Sequence, residues 1–417
     1  MIRRKHIGWT SLLVLPNTRT LSAVAMVGLE TCKKLIMKKM TLGIAFISLC
    51  LYSCSDPNKN KSDFLYQAHI TEIEDSIACS DLIDSVSYIK LETNDRCRIG
   101  EVNQLLVANK KLYVISNGIH YFDLQGHHLF SINQRGHAKN EYVEIRNVNI
   151  IDDKLFLYDN KLAKVLIFNS NSGIYIDCML LPCEMVAAYG LKEQIIIDRG
   201  SIPQEMLKGD GRFILCPQTD VHDTSKGYFS EDEHRFVIEG TTSTCSRGII
   251  YSSYLNCMAW KLTDNGCKGY LKLDVPSDMK LPESVINRAI NDRRLPDDTD
   301  GYIYGLSNIA ESDDFITGRL SYAKNFAYFI YDKRSGNTRC YSNVSEKELW
   351  QFAPISFQYG DKESLFNIYS SDEILLIRNI FGTGTPPSDR NLHNYEIYCS
   401  EEESDNPVVA RFYLKHF

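Results

Sequence analysis

Long apolar runs are missing from this chain. The main one, Leu42 to Tyr52 (LGIAFISLCLY), is shorter than the roughly 20 residues a helix needs to cross a bilayer core, and fits the roughly 7 to 15 of a signal-peptide h-region. No spanning helix is therefore expected. Catalytic signatures are missing as well: the chain has no H-E-x-x-H, no G-x-S-x-G, no Walker A loop and no EF-hand loop. Nor does it have a C-x-x-C pair, so neither a zinc ribbon nor a thioredoxin-like redox site is signalled. Positive charge is also short. Residues 1–53 hold eight of the 46 basic residues and one of the 53 acidic ones, so the remainder carries a formal net charge of −14. A field of that sign repels polyanions, which excludes nucleic acid and anionic headgroups as natural partners and favours solubility.

What is present begins with an address. Lys38 and Lys39 precede the apolar run, which ends at Leu51-Tyr52-Ser53-Cys54. Charge, a short apolar stretch, a small residue and Cys form the order of a lipobox, with Cys54 as the lipidation site and first residue of the mature protein. The signal peptide then spans 37–53, starting at Met37, and residues 1–36 form an upstream extension that fits no targeting pattern and reads as an over-extended start. The polar tract to Ser62 has nothing to bury, so 54–62 reads as a flexible tether. The expected location is the cell envelope, at the outer membrane with the side left open, and the membrane is touched through the lipid anchor only.

From about residue 100 onward the chain repeats a short strand, a polar turn and another strand. Gln104 to Ala108, Lys111 to Ile115, Gly118 to Asp123 and His128 to Ile132 form one four-stranded unit, and Val143 to Ile151, Lys154 to Tyr158, Lys164 to Asn169 and Ile174 to Leu181 a second. A period of roughly 40 residues fits a propeller blade. Further strands are expected at Gly248 to Ser253, Cys257 to Leu262 and Cys267 to Leu273, then at Asp313 to Leu320, Asn325 to Asp332 and Thr338 to Ser342. A last blade is read from Ser364 to Tyr369, Glu373 to Arg378, Asn394 to Tyr398 and Val408 to Tyr413, and Leu82 to Glu92 is free to lend it a strand and close a ring. Pro282 to Arg294 is the best helix candidate. Residues 63–417 are thus expected to be one all-β domain, a six-bladed β-propeller of four-stranded antiparallel blades, with a β-sandwich or a pair of smaller β-domains as the structural competitor.

At this point the residues resemble a known group. Tyr88 to Thr93, Leu112 to Ile115, Tyr121 to Asp123 with Gly126, the crossover Gln134 to Tyr142, Asn406 to Val409 and Phe412 to Lys415 are similar to the six-bladed β-propeller lipoproteins of Bacteroides-type bacteria, related in layout to NHL-repeat propellers. The resemblance implies an envelope lipoprotein connected with nutrient uptake. The crossover departs from the usual Gly-x-Gly-Pro-Gly-Glu-Tyr, with Ala138, Lys139 and Asn140 where Gly, Pro and Gly are typical. Asn140 tolerates a left-handed turn and Ala138 does not, and the segment reads as a connector between blades.

Candidate chemistry is sparse. Ten cysteines follow Cys54 without a regular framework, and burial as small apolar residues is their default. His127 and His128 are neighbours at a turn into a strand, where side chains diverge. The acidic pairs Asp152-Asp153, Asp297-Asp298 and Asp313-Asp314 could offer oxygen ligands to calcium, the one cofactor considered, but adjacent Asp residues are more often solvated turns. No metal site is assigned. Aromatics are plentiful, with 24 Tyr, 18 Phe and 3 Trp, and flat rings with polar tips suit sugars or peptides. Trp260, Trp350, Phe381 and Arg390, the last two in the stretch Phe381 to Asn394, are the residues nominated for a ligand-binding rim. The leading expectation is a binding module for a glycan, a peptide or a partner envelope protein. The alternative is a propeller lyase or hydrolase with a metal or carboxylate site at the channel mouth.

Overall fold

The computed structural model describes residues 63–200, 211–223, 226–229, 241–245, 248–252, 255–292, 299–345, 356–387 and 391–417. The chain there opens with β1 (Phe64–His69), β2 (Ile77–Ala78), the one-turn helix α1 (Cys79–Leu82) and β3 (Ile83–Lys90). Blade 1 follows as β4 (Gln104–Ala108), β5 (Lys111–Ile115), β6 (Ile119–Asp123) and β7 (His128–Ile132). Blade 2 is β8 (Asn147–Ile151), β9 (Lys154–Asp159), β10 (Lys164–Asn169) and β11 (Tyr175–Leu180). Blade 3 is β12 (Ala187–Gly190), β13 (Gln194–Asp198), β14 (Phe213–Pro217) and β15 (Lys226–Tyr228). Blade 4 is β16 (Thr241–Cys245), β17 (Gly248–Ser252), β18 (Met258–Thr263) and β19 (Gly266–Asp274), after which comes helix α2 (Glu283–Asp292). Blade 5 is β20 (Ile303–Glu311), β21 (Phe315–Tyr322), β22 (Asn325–Asp332) and β23 (Thr338–Tyr341), and the short β24 (Val344–Ser345) pairs with β2.

Blade 6 is built from both ends of the domain. β25 (Tyr359–Gly360), β26 (Leu365–Tyr369) and β27 (Val408–Leu414) are joined by β3, which pairs antiparallel to β27 from Lys90↔Val408 to Ile83↔Leu414. The fold is a six-bladed β-propeller, and the stretch read as a closing strand closes it. No helix among the described residues is long and apolar enough to cross a membrane.

Apolar side chains fill the wedges between blades. In β9, Leu155 and Leu157 pack toward blade 1 while Phe156 and Tyr158 pack toward blade 3. In β13, Ile195 and Ile197 face blade 2 while Ile196 faces blade 4. A strand covered on both faces has no polar side to show, so runs such as Lys154–Asp159 (KLFLYD) read as nearly continuous apolar stretches. Tight hairpins join them: Asn109 and Lys110 both take positive φ, at 50° and 56°, the geometry a two-residue turn needs to follow strand twist.

Three features differ from the sequence reading. Glu373 to Arg378 and Asn394 to Tyr398, expected as strands, belong to helices α3 (Ser371–Phe381) and α4 (Leu392–Ser400), an excursion between β26 and β27. Ser370 caps α3 in a capping box with Glu373, and α4 buries Asn394, Ile397 and Tyr398 on one face, so local capping and a helical period outweigh the apolar, β-prone composition. Second, β1 adds a fifth strand to blade 4, parallel to β19 from Phe64↔Gly269 to His69↔Asp274, and covers an edge that would otherwise lie open. Third, neither Ala138 nor Asn140 is among the residues with positive φ, so the crossover turns without a left-handed step at either. Glu141 accepts a bond from the Ala138 N–H at 2.9 Å, and Tyr142 Oη donates to the Ile132 carbonyl at 3.2 Å, pinning the segment as a connector.

Arg378 ties the two helices of the excursion together, and Lys90 of β3 ties their end to the ring. Arg378 donates to the carbonyls of Tyr398, Cys399 and Glu401 at 3.0, 2.7 and 2.9 Å, taking up acceptors at the end of α4. Glu401 is buried beside them, 3.2 Å from the Lys90 ammonium of β3. Burial outweighs that cation and pushes the Glu401 carboxyl up to about 7.

Candidate binding funnel

In every blade the inner strand runs from one end of the ring, here the mouth end, toward the other. Several far-end turns are of two residues, as at 109–110, 152–153 and 264–265, and the longest between consecutive strands of one blade is 218–225, whereas the segments reaching the mouth end include 133–146, 275–302 and 370–407. Long segments on a rigid scaffold are where binding residues gather.

Each inner strand is also a sheet edge whose outward N–H and C=O groups need partners. Carboxamides supply them across the blade boundaries. Gln104 donates to the Val148 carbonyl at 2.9 Å and accepts from the Val148 N–H at 3.2 Å. Asn147 does the same with Ala188, at 2.7 and 3.2 Å, and the buried Asn149 with Gly190, at 2.7 and 2.9 Å. A side-chain amide carries the same donor and acceptor pair as a peptide group, which is why Asn and Gln occupy these positions.

The inner strands surround a cavity of about 390 Å³, within the roughly 300–1,000 Å³ of small-ligand sites. All six blades contribute: Asn103, Gln104 and Leu105 from blade 1, Arg146 and Asn147 from blade 2, Tyr189 from blade 3, Thr242 to Thr244 from blade 4, Asn308 from blade 5, Phe357 and Gln358 from blade 6. Tyr189 Oη and Thr242 Oγ1 lie 2.5 Å apart and bridge blades 3 and 4, and burial pushes the phenol up to about 12, so it stays protonated. Asn308 sits at φ 50° beside a break in the β20 register between Ser307 and Ala310. That bulge leaves Asn308 exposed between two buried neighbours, Ser307 and Ile309, and turns it to the cavity. Asn tolerates the left-handed conformation, and bulges commonly re-aim a side chain at a binding site.

Among the described lining residues none is a carboxylate, an imidazole or a thiol, and Arg146 is the one charged group. Gln104, Asn147, Tyr189 and Thr242 are engaged in the contacts above. Asn103, Ser243, Thr244, Asn308 and Gln358 line the same space with side chains that make no hydrogen bond among the described residues. Amides and hydroxyls thus make up most of the described polar wall of the channel, with Leu105, Ile115, Ile145 and Phe357 as its apolar part.

Of the residues nominated from sequence, the described ones, Trp260 and Phe381, are not among those lining the cavity. Trp260 stands in β18 and packs in an aromatic cluster with Phe64, Phe229 and Tyr251, at centroid distances of 6.1, 5.2 and 6.2 Å. Phe381 ends α3 on the mouth-end excursion and is 59% exposed. Cys54, Trp350 and Arg390 lie outside the described residues. His127 pairs with Asp123 at 3.0 Å while the His128 ring meets Ser131 Oγ at 2.9 Å, so the two rings diverge as expected. Among the described residues, no three His, Cys, Asp or Glu side chains form a group able to hold a metal ion. The funnel residues went unnoticed because each blade supplies only one to three of them. The available signal was positional: Asn103-Gln104, Arg146-Asn147 and Thr241–Thr244 are polar residues at the start of a blade's first strand.

The sequence profile of a family described as Domain of unknown function (DUF4934) matches residues 65–413. The chain is a member of the DUF4934 family. No curated protein matches it. Among solved structures, this DUF4934 chain is similar to a Bacteroides fragilis NCTC 9343 protein inferred to be exported, at 14% identity and a TM-score of 0.62, over 84% of this chain and 99% of that one. A Bacteroides vulgatus ATCC 8482 member of the DUF4221 family matches at 9% identity and a TM-score of 0.45, over 80% and 97% of the two chains. The first likeness is one of fold, and the second is too loose to carry an argument.

Proposed function

We propose that this DUF4934 protein is an exported, lipid-anchored binding module of the cell envelope that captures a small polar ligand, a glycan or a peptide, in its central funnel. One observation carries the reading: five polar side chains, drawn from four blades and without hydrogen-bond partners among the described residues, line a cavity of ligand size. Unpaired amides and hydroxyls kept in place by a closed ring are ready to exchange water for ligand with little ordering, which is the advantage of preorganisation. The signal sequence and the lipobox at Cys54 support the address. The inferred export of the Bacteroides fragilis protein agrees with it.

The enzyme alternative draws no carboxylate, imidazole or thiol from the described lining, and the Tyr189 phenol there is engaged with Thr242. The test is a thermal-shift screen of the purified protein against glycans, peptides and divalent cations, with turnover followed in parallel. A ligand at 100 times its Kd adds about 2.7 kcal/mol, and Asn308→Ala is expected to abolish that shift. Product formation, or a shift that Asn308→Ala leaves intact, would overturn the reading.

A further inference from the structure

We infer that the funnel is built for a carboxylate-bearing sugar, a hexuronic-acid unit, whose carboxylate rests on Arg146 and whose ring hydroxyls meet Asn103, Ser243, Thr244, Asn308 and Gln358. This rests on the funnel reading above and names its ligand class. The first argument is charge. Beyond residue 53 the chain carries a formal net charge of −14, yet the one charged group among the described lining residues is an arginine. Arg146 makes no ion pair among the described residues; its Nε donates to the Val186 carbonyl at 3.1 Å, which leaves the paired Nη donors for another acceptor. A planar guanidinium with its outer edge open is matched by a carboxylate, which accepts two parallel hydrogen bonds.

The second argument is the character of the remaining surface. Amides and hydroxyls both donate and accept, as sugar hydroxyls do. Of the apolar lining residues, Leu105, Ile115 and Phe357 are 2%, 1% and 4% exposed and form the backing of the wall, while Ile145 is half-buried and shows part of its side chain. A peptide carboxylate would bring an apolar or charged side chain with it, and the described lining offers no acid and, beyond Ile145, little apolar surface to receive one. A polyhydroxylated ring with one carboxylate matches the guanidinium and the exposed amides and hydroxyls of the described lining.

The third argument is placement. Arg146, Asn103 and Gln358 stand just before β8, β4 and β25 at the mouth end, whereas Ser243, Thr244 and Asn308 lie further along their strands, so the cation stands at the mouth and three of the neutral groups deeper. A chain-terminal sugar would enter ring first, with its acid group held at the mouth.

Isothermal titration of the full protein with methyl β-D-glucuronide and methyl β-D-glucoside tests this directly. The glucuronide is expected to bind at least tenfold more tightly, with a preference that shrinks as salt rises. Arg146→Gln is expected to erase the preference and leave glucoside binding intact, and Arg146→Lys to restore part of it. Equal affinity of the wild type for both sugars, or an equal loss of both in Arg146→Gln, overturns the assignment. If Asn308→Ala then still weakens both, the funnel reading stands while the acidic-sugar assignment falls. If the wild type binds neither sugar but its peptide-induced thermal shift is lost in Asn308→Ala, the funnel takes another ligand and the assignment is again overturned.

Discussion

Asn149 and Asn147 perform the same chemistry two residues apart in β8, in different surroundings, and that contrast gives a quantitative prediction. Asn149 is 2% exposed and holds both backbone groups of Gly190, while Asn147 lines the funnel, half-buried, and holds both groups of Ala188. Replacing Asn149 by Ala strands a buried N–H and a buried C=O, each of which costs about 1–3 kcal/mol when left without a partner. Allowing for partial relaxation, Asn149→Ala is expected to lower stability by about 2–4 kcal/mol. In Asn147→Ala, water in the funnel takes over the freed groups, and the loss is expected to stay near the ~0.5–1.5 kcal/mol net worth of an ordinary hydrogen bond. Urea unfolding at constant m reads both values. Hydrogen exchange supplies a local readout: the Gly190 amide is expected to exchange much faster in Asn149→Ala, with blade 6 amides unchanged relative to global opening. Equal destabilisation by the two variants, or an unchanged Gly190 amide, would refute the idea that the inner edges depend on side-chain amides for their hydrogen bonds.

Three further outcomes follow from the packing and the charges. A Cβ at Gly190 would stand 2.1 Å from the Phe156 ring, so Gly190→Ala is expected to lower stability by at least about 1–3 kcal/mol, with partial recovery when Phe156→Leu is added; unfolding curves of the three variants decide it. The folded protein holds a proton on Glu401 up to about pH 7, while the unfolded chain releases it near the ordinary 4.5. Stability from this group is therefore full below about 4.5 and is lost as pH rises to about 7, by up to about 3 kcal/mol, and Glu401→Gln is expected to flatten that slope in stability measured from pH 4 to 8. Deleting residues 63–69 removes the strand that covers β19. Six blades are expected to remain by circular dichroism, but the bared edge is expected to drive self-association on size-exclusion chromatography, and a monomeric deletion variant would count against the edge-protection argument.

Much of the ring was readable because its strands announce themselves in pairs with tight turns. Leu82 to Glu92 alternates and stands ahead of the first full blade, which is why it could be matched to the far end of the chain. Blade 3 offered less: Ala187–Gly190 (AAYG) has no β-branched residue, and its role depends on the Asn147 and Asn149 clamps from the blade before. The two helices between β26 and β27 were hidden by composition, since EILLIR and NYEIY carry strand-forming side chains. The discriminating marks were Ser370 three residues before Glu373, a capping box, and the spacing of Asn394, Ile397 and Tyr398 along one helical face. The funnel was least legible. Sequence reasoning looks for neighbours with chemistry, and here each blade contributes one to three ordinary polar residues that become a site only when the ring closes.

Closure by β3 and β27 also sets how such a molecule can fold and diversify. Bringing Lys90 to Val408 ties the ends of a loop of about 320 residues, and the entropy of that step follows (3/2)RT ln n, on the order of 5 kcal/mol for a flexible chain. The joining step is therefore late and non-local, and blade 6 cannot be completed until residue 414 has been made. The same logarithm is lenient toward length. Doubling the enclosed chain would add only about 0.6 kcal/mol to closure, so helical insertions such as 370–407 can lengthen or shrink at the mouth while the seam that holds the ring together remains the same seven-residue strand.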